Sequence, residues 1–535
     1  MAVKQRIDQD VLIEDKPLPL LGVFILSIAC VAAFNRLFSK KLFPAPDFYE
    51  SKYLVLAAGN AALDAHAPLA ITVLSLVALL LFYCVYRFEW ADLCDVQIRR
   101  FILLLAFLVV WRQSTYGYNY FFDASHQTDR LILIALFLLS FWRPAFLGLL
   151  PPMVFLMEGQ LSLSFLSYTT SEFSMPLKVI VGFCSLMLVG LFSKRRFDSA
   201  FIWVALIVIM AHYWTSAYAK MLINWHEFGQ IHLMMSASYA GGWLNFLDTD
   251  SISAILKNLS RFDMVAMVFT LLFESVVIFS LFSGPLLVIL LLSAALFHIG
   301  VVVISGIWFW QWLLVDLAFV YFLFVKSDKQ YLSARSLPLY TRVIATLLIA
   351  STPFWAGAPR LGWHDSPVSN VYQIRAVDAD NYSTVLSPAY FTPYVYPLTL
   401  NSLQFLSESK ILPISWGSSK DLDLVKTLTM VSSKEQIFEL IEQQGSVNFD
   451  AERARSFDQF IEKFVIRKQA DAGQRRWFDF VAAPSYLYTS FQSRQTHPSD
   501  IKRVEVHRLT SWFNGTTFQT IDDTLVRTVT IGAES

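Results

Sequence analysis

Apolar runs of near-bilayer length recur through this chain as far as Trp355, and no other feature of the sequence narrows the choice of fold so sharply. A helix needs ~20 mostly apolar residues to cross ~30 Å of hydrocarbon. In that medium the backbone groups of a spanning segment must be satisfied inside helices or closed barrels. The stretches Leu18–Leu37, Leu69–Tyr86, Phe101–Phe121, Leu131–Arg143, Ala145–Gln160, Pro176–Phe192 and Ala200–Leu222 fit helices of this kind. So do Met264–Phe282, Pro285–Ile304, Trp308–Val325 and Tyr340–Trp355. Arg143, Pro144, Pro151 and Pro152 interrupt the chain between Phe141 and Phe165, which reads as one kinked helix or two, so the count is about eleven. Composition agrees, because 55% hydrophobic and 16% charged residues leave too little charge to cover a water-facing surface for 535 residues. The expected fold is a polytopic α-helical membrane protein, embedded in the lipid bilayer over residues 18–357.

Charge placement gives the expected orientation. With the N-terminus inside, the cytoplasmic connections carry Arg87, Arg99 and Arg100, then Arg143, then Lys194, Arg195 and Arg196, then Lys326, Lys329 and Arg335. That is the excess of Lys and Arg which the positive-inside rule associates with cytoplasmic loops. Lys40 and Lys41, in the first outer loop, run against it. Residues 1–17 read as a short cytoplasmic tail, polar and acidic-rich, lacking the basic start and small-residue cleavage site of a signal peptide. An odd number of crossings then places everything after residue 357 outside the cytoplasm.

From Ala358 onward the composition becomes that of a soluble domain, residues 358–535. Short β-rich segments (Asn370–Val377, Val504–Leu509, Thr524–Ile531) are separated by Pro, Asn and Gly, and helical patterns occupy Lys434–Gln443 and Ala451–Ile466. These predict an α+β or β-sandwich-like extracytoplasmic domain. It has no cysteine, since all four (Cys30, Cys84, Cys94, Cys184) precede it, and it carries no phosphate loop or metal-ligand spacing. With Lys and Arg balancing Asp and Glu at 42 each, no basic surface points to a nucleic-acid partner.

Ionisable residues at membrane depth are costly and therefore candidates for function. The first group is Trp111-Arg112-Gln113 through Asp123–Arg130, where His126 opens an apolar helix. One reading has Ser125 or Asp123 capping that helix beside an exposed histidine. The other has His126 in a cavity between helices, suited to proton transfer. The second group runs from His212 to His232, beginning inside an apolar helix and ending in a long outer loop. Lys220 follows His212 by two turns on nearly the same face, with Tyr218 beside it and Trp225 close behind. A lysine so placed either snorkels to the headgroups or, desolvated, acts as a general base. In the third group His298 and Asp316 are isolated polar residues in apolar helices joined by a turn rich in Gly and Trp. There His298 either bonds a neighbouring helix or supports chemistry, and Trp308, Trp310 and Trp312 fit an interfacial belt.

Taken in order, these groups resemble the HTTM superfamily, the membrane domain shared by vitamin K-dependent γ-carboxylases and many bacterial proteins. The resemblance spans roughly residues 100–325. It rests on the Asx-rich turn with a histidine (Asp123–His126), the Tyr-x-Lys segment with Trp and Gly behind it (Tyr218, Lys220, Trp225, Gly229), and Phe297-His298 followed by Gly306-Ile307-Trp308. It implies a bacterial cell-membrane enzyme in which Lys220 deprotonates a lipophilic cofactor or substrate, a quinone of the vitamin K type, with His126 assisting. His298 would be a further catalytic group, and His212, Tyr218 and Trp225 would line the cofactor site. Met221-Leu222-Ile223-Asn224 departs from the spacing expected between lysine and tryptophan, and the C-terminal domain shows no propeptide site, so glutamate need not be the substrate. A second class of function is a non-catalytic scaffold or transporter for export or maturation of a peptide or partner protein. A scaffold would tolerate loss of Lys220; an enzyme of this kind would not.

Overall fold

A helix that is apolar on every side is stable only if every side is covered. Asp198–Leu222 is such a helix: residues 200–213 are all buried, and it forms the axis of the N-terminal helical domain. In the computed structural model, which describes residues 17–39, 49–50, 53–55, 57, 79–116, 126–161, 174–190, 198–326, 339–355, 363–399, 403–472, 477–488 and 497–532, the other long helices pack around it. We label the principal helices before Trp355 α1 (Pro17–Ser39), α2 (Val96–Thr115), α3 (Gln127–Trp142), α4 (Pro144–Leu161), α5 (Met175–Gly190) and α6 (Asp198–Leu222). They continue as α7 (Ile231–Ala240), α8 (Thr249–Leu259), α9 (Asp263–Val276), α10 (Gly284–Ser305), α11 (Trp310–Val320) and α12 (Leu339–Ala350). α6 is in contact with α1, α5, α9 and α12.

Among the described residues five helical segments are long and apolar enough to cross a membrane: Leu21–Phe38, Pro144–Leu161, Ala200–Leu222, Thr249–Phe282 and Gly284–Ser305. Three shorter apolar ones are Met175–Gly190, Trp310–Val325 and Leu339–Ala350. The outer surface of these helices is oily. On α10, Ile289, Leu292, Leu296, Ile299 and Val303 recur at helical spacing and are all exposed, as are Val265, Val268, Phe269 and Leu272 on α9. Leaving one such side chain in water forgoes ~1.5–3 kcal/mol, a cost that a bilayer would remove. The segment Thr249–Phe282 is too long for one crossing at 1.5 Å per residue. Its first part, α8, buries Ile252, Ser253 and Leu256, half-buries Ile255 and Leu259 and exposes the rest, so the continuous apolar stretch begins near Asp263.

The C-terminal domain is one antiparallel sheet with helices, an α+β arrangement with no second sheet facing it among the described residues. Its strands are β1 (His364–Val377), β2 (Ser383–Val385), β3 (Trp416–Ser419), β4 (Arg503–Phe513) and β5 (Phe518–Thr530), in the order β2-β1-β4-β5, with β3 also pairing β1. The central register runs unbroken from Val368 opposite Trp512 to Val377 opposite Arg503. Side chains alternate along β1. Tyr372, Ile374 and Ala376 join Phe457, Phe460 and Phe464 of the helix Ala451–Ala470, whereas Val371 packs with Leu233 and Met235 of α7. The sheet therefore lies between its own helices and the N-terminal helices.

The segment preceding β4 fastens the two parts together. Trp111 Nε1 donates to the Val481 carbonyl at 2.5 Å, the Ala483 amide to Thr115 Oγ1 at 3.0 Å and the Tyr116 hydroxyl to the Pro484 carbonyl at 3.0 Å. Tyr486 donates to Gln311 at 2.7 Å and its carbonyl accepts from the Trp308 amide at 2.8 Å.

One expectation is corrected here: the long outer loop after Lys220 is the one-turn helix Trp225–Phe228 followed by α7, which the sheet covers. Residues 1–16, the Asp123–Ser125 turn, Lys194–Arg196, Lys329, Arg335 and the first half of Leu69–Tyr86 lie outside the described residues.

Candidate functional site

Lys220 occupies the last turn of α6, and its side chain is turned inward. Its ammonium lies 2.8 and 2.9 Å from the two carboxylate oxygens of Glu274 on α9, with both side chains buried. The chain then reverses at Asn224, whose φ of 54° is left-handed, a conformation that asparagine adopts more readily than most residues. The reversal lays the Trp225 ring over the ammonium, 5.0 Å from ring centre to Nζ. A β-carbon at Gly229 would stand 3.0 Å from both Met267 Sδ and the Trp225 ring, so the close seating of this turn on α9 depends on glycine.

More acidic groups gather at the same end of α6. Asp263, the first residue of α9, accepts from His232 Nδ1 at 2.5 Å and from the His232 amide at 3.1 Å. Asp365 enters from β1 and is buried. Burial, reinforced by the Asp263 carboxylate, pushes its acid up to about 7, against the opposing pull of Lys220 and the Gln230 amide. The C-terminal domain thus contributes a buried carboxyl group, its acid pushed up to about 7, to the environment of a lysine on α6. Among the described residues no group of three His, Cys, Asp or Glu side chains is arranged to hold a metal ion.

Two turns deeper, a second polar group is built on the same helices. Tyr213 precedes Lys220 by seven residues, which at 100° per residue brings it to within about 20° of the same face. Its hydroxyl donates to Asp316 Oδ2 at 2.6 Å and lies 3.0 Å from His298 Nε2. Aromatic rings enclose this triad: Phe273 and Trp312 against Tyr213, and Phe297, Phe309 and Trp312 against His298.

The six residues singled out from the sequence therefore separate. Lys220 and Trp225 meet. His298 belongs to the deeper triad. His212 lies about 80° around α6 from Lys220 and is instead 2.9 Å from Lys178 Nζ on α5, with its Nδ1 committed to the Val208 carbonyl at 2.8 Å. The edge of Trp312 links His212 to the triad. The Tyr218 ring lies tilted against Trp214, whose indole donates to Ala350, so it sits on the α12 side of α6 and away from Glu274. His126 is buried at the start of α3 in a left-handed conformation, 3.4 Å from Asp129, whose carboxylate accepts the amides of Leu54 and Val55. It is buried rather than exposed, and it contacts none of the other five.

Sequence reasoning missed Glu274, Lys178, Tyr213, Asp263 and Asp365. The rule that singled out Lys220 also applies to Glu274, the one charge within Met264–Phe282, and to Lys178 in Pro176–Phe192. Compared with family models, with curated proteins and with solved structures, the chain matches none.

Proposed function

We propose that this chain is an integral membrane enzyme that moves a proton to or from a lipophilic molecule at the Lys220–Glu274 pair. The observation carrying this reading is the pair itself: an ammonium and a carboxylate held 2.8 Å apart under Trp225, where apolar helices meet the soluble domain. A desolvated pair of this kind can pass a proton in either direction with little rearrangement. The HTTM-like residue pattern supplies the substrate class, a quinone-type or similarly apolar carbon or oxygen acid; a peptide or protein could be the second substrate, presented by the C-terminal domain.

The topology belongs to the same proposal: about eleven crossings, the N-terminus cytoplasmic and the sheet domain extracytoplasmic. Side-chain bonds that tie helix ends together fall into two groups that match this arrangement. Arg143 reaches the Phe88 carbonyl, Arg99 the Phe141 carbonyl and Arg342 the Phe282 carbonyl, all at ends assigned to the cytoplasm. The ends at Trp111–Tyr116, Trp308–Gln311 and Lys220–His232 instead meet the C-terminal domain.

The test is complementation of a deletion strain with Lys220→Met and Glu274→Gln, together with mass spectrometry of lipophiles extracted from the purified proteins. General acid–base groups contribute about 10²–10⁴-fold, so Lys220→Met should abolish complementation while a bound lipophile is retained. A stable Lys220→Met protein with full function would overturn the catalytic reading in favour of a scaffold.

A further inference from the structure

The Tyr213–His298–Asp316 triad has a bonding pattern that fixes where its protons can sit. When Asp316 is ionised, the one hydroxyl hydrogen of Tyr213 goes to Asp316 Oδ2, 2.6 Å away. His298 Nε2, 3.0 Å from the same oxygen, must then be the donor, and the imidazole is the Nε2–H tautomer. His298 Nδ1 is left as a bare lone pair. It is buried with no hydrogen-bond partner among the described residues, and so is Asp316 Oδ1. Buried polar atoms are nearly always satisfied, and two orphans in one cluster require a reason.

We propose that His298 Nδ1 is a proton acceptor for an uncharged apolar substrate, and that Tyr213 relays the accepted charge to Asp316. The balance is as follows. The substrate X–H bond breaks, its electron pair stays on X, and the proton bonds to Nδ1. The Nε2 proton passes to the Tyr213 oxygen, and the Tyr213 hydroxyl proton passes to Asp316 Oδ2. At the end His298 is neutral in its Nδ1–H form, Tyr213 donates to Nε2, and Asp316 is a carboxylic acid donating to Tyr213. The heavy-atom contacts of 2.6 and 3.0 Å serve both end states, so nothing but hydrogen moves. The single negative charge passes from Asp316 to the substrate, and the relay itself ends uncharged inside a shell of Phe273, Phe297, Phe309 and Trp312. That shell has no group to pair with a charged donor, hence the uncharged substrate.

The other ionisable groups facing the triad are Glu274 on α9, within electrostatic reach of Tyr213, and His212 across Trp312, itself bonded to Lys178. The substrate's identity rests on the proposed reading of the domain as a proton-transfer enzyme; the relay rests only on the triad.

The test reads the relay without using Lys220 or any activity. Full-length protein carrying ¹⁵N-histidine is placed in nanodiscs, with the His298 signals assigned by their loss in His298→Gln. In mildly alkaline solution Nδ1 should resonate as unprotonated and Nε2 as protonated. On acidification the ring should change to the neutral Nδ1–H form, and a carboxylic-acid infrared band absent from Asp316→Asn should appear in the same step. Tyr213→Phe should cut the relay, so that His298 becomes an imidazolium and the band is lost. A wild-type His298 that goes directly to imidazolium, or that holds its proton on Nδ1 in alkaline solution, would overturn the proposal. The wild-type titration decides this by itself if Tyr213→Phe does not fold. Because Lys220 is untouched, a negative result here leaves the Lys220–Glu274 reading standing, and failure of that reading leaves this measurement intact.

Discussion

Taking two opposite charges out of water costs several kcal/mol per ion, and their attraction offsets this only while both are present. Lys220 and Glu274, 54 residues apart in sequence and both buried, meet that condition. Lys220→Met alone should therefore destabilise the protein by ~3–5 kcal/mol, as should Glu274→Leu, whereas the double variant should recover most of the loss. Thermal unfolding in detergent checks this, and additive losses would show that the pair is not desolvated. Asp365 gives a second prediction with a definite sign. Its acid is raised to about 7 in the fold from 3.8, so between those values the folded state holds a proton that the unfolded chain has released. Stability from this residue is fully present below the lower value and declines as pH rises through the window, by at most ~1.4 kcal/mol per pH unit. Glu505 acts in the opposite sense, held low by hydrogen bonds from Arg503 and His507. So does Asp523, where burial raises the acid but Arg375 and His507 outweigh it. Both lose stability as pH falls. The readout is consequently the difference between wild type and Asp365→Asn in denaturant unfolding across pH 4–8: the variant should gain relative stability towards the alkaline end, and parallel curves would refute the assignment.

Elements in this protein are joined at a few tight approaches, of which the end of α10 is the clearest. Gly306 has φ 69°, donates its amide to the Val302 carbonyl at 2.8 Å and so ends the helix in a left-handed cap. A β-carbon there would fall 2.4 Å from the Tyr488 ring and 2.9 Å from Trp243. Gly306→Ala should cost ~1–3 kcal/mol through strain and overpacking, and adding Tyr488→Ala should return part of it. A neutral Gly306→Ala variant would show that the strap before β4 is not seated against α10. The same scale explains what could be read from the sequence. The apolar runs were legible because span length is set by hydrocarbon thickness, a constraint local to each run; every run with described residues coincides with helix. α7 was not, because the face that makes it a helix packs on Val371, Phe513 and Phe518, residues far along the chain. Within the site, Lys220 and Trp225 were legible together because five residues and one turn connect them. Glu274, Asp316 and Asp365 reach their partners only through the packing of α9, α11 and β1, and Tyr218 was misplaced because adjacency in sequence was read as a shared face.

For the whole molecule the decisive question is on which side of the proposed membrane the parts lie, since Asp365 of the sheet domain is within electrostatic reach of Lys220. Positive charge and side-chain bonding are independent lines of argument. The first concerns insertion, in which Lys and Arg flanking a span are retained in the cytoplasm. The second concerns the finished packing, in which helix ends sharing a face bond to one another or to the same domain. On the proposed topology, both lines assign the turn at Phe88–Ala91 with Arg143 to one face, and the sheet with the end of α6 to the other. Replacing the four native cysteines by serine and introducing single cysteines converts this into a measurement. Ser432→Cys lies on the exposed surface of the C-terminal domain, and Ala91→Cys on the exposed turn beside Arg143. In intact cells a membrane-impermeant maleimide should label the first at once and the second only after permeabilisation. Equal labelling of both would place the two positions on one face and require an even number of crossings between them. The reverse pattern would keep the packing but invert the protein, and a proton taken up at Lys220 would then come from the cytoplasm instead of the outside. If the proposed proton transfer at Lys220 holds, the labelling decides which compartment exchanges protons with the site, as well as where the domain lies.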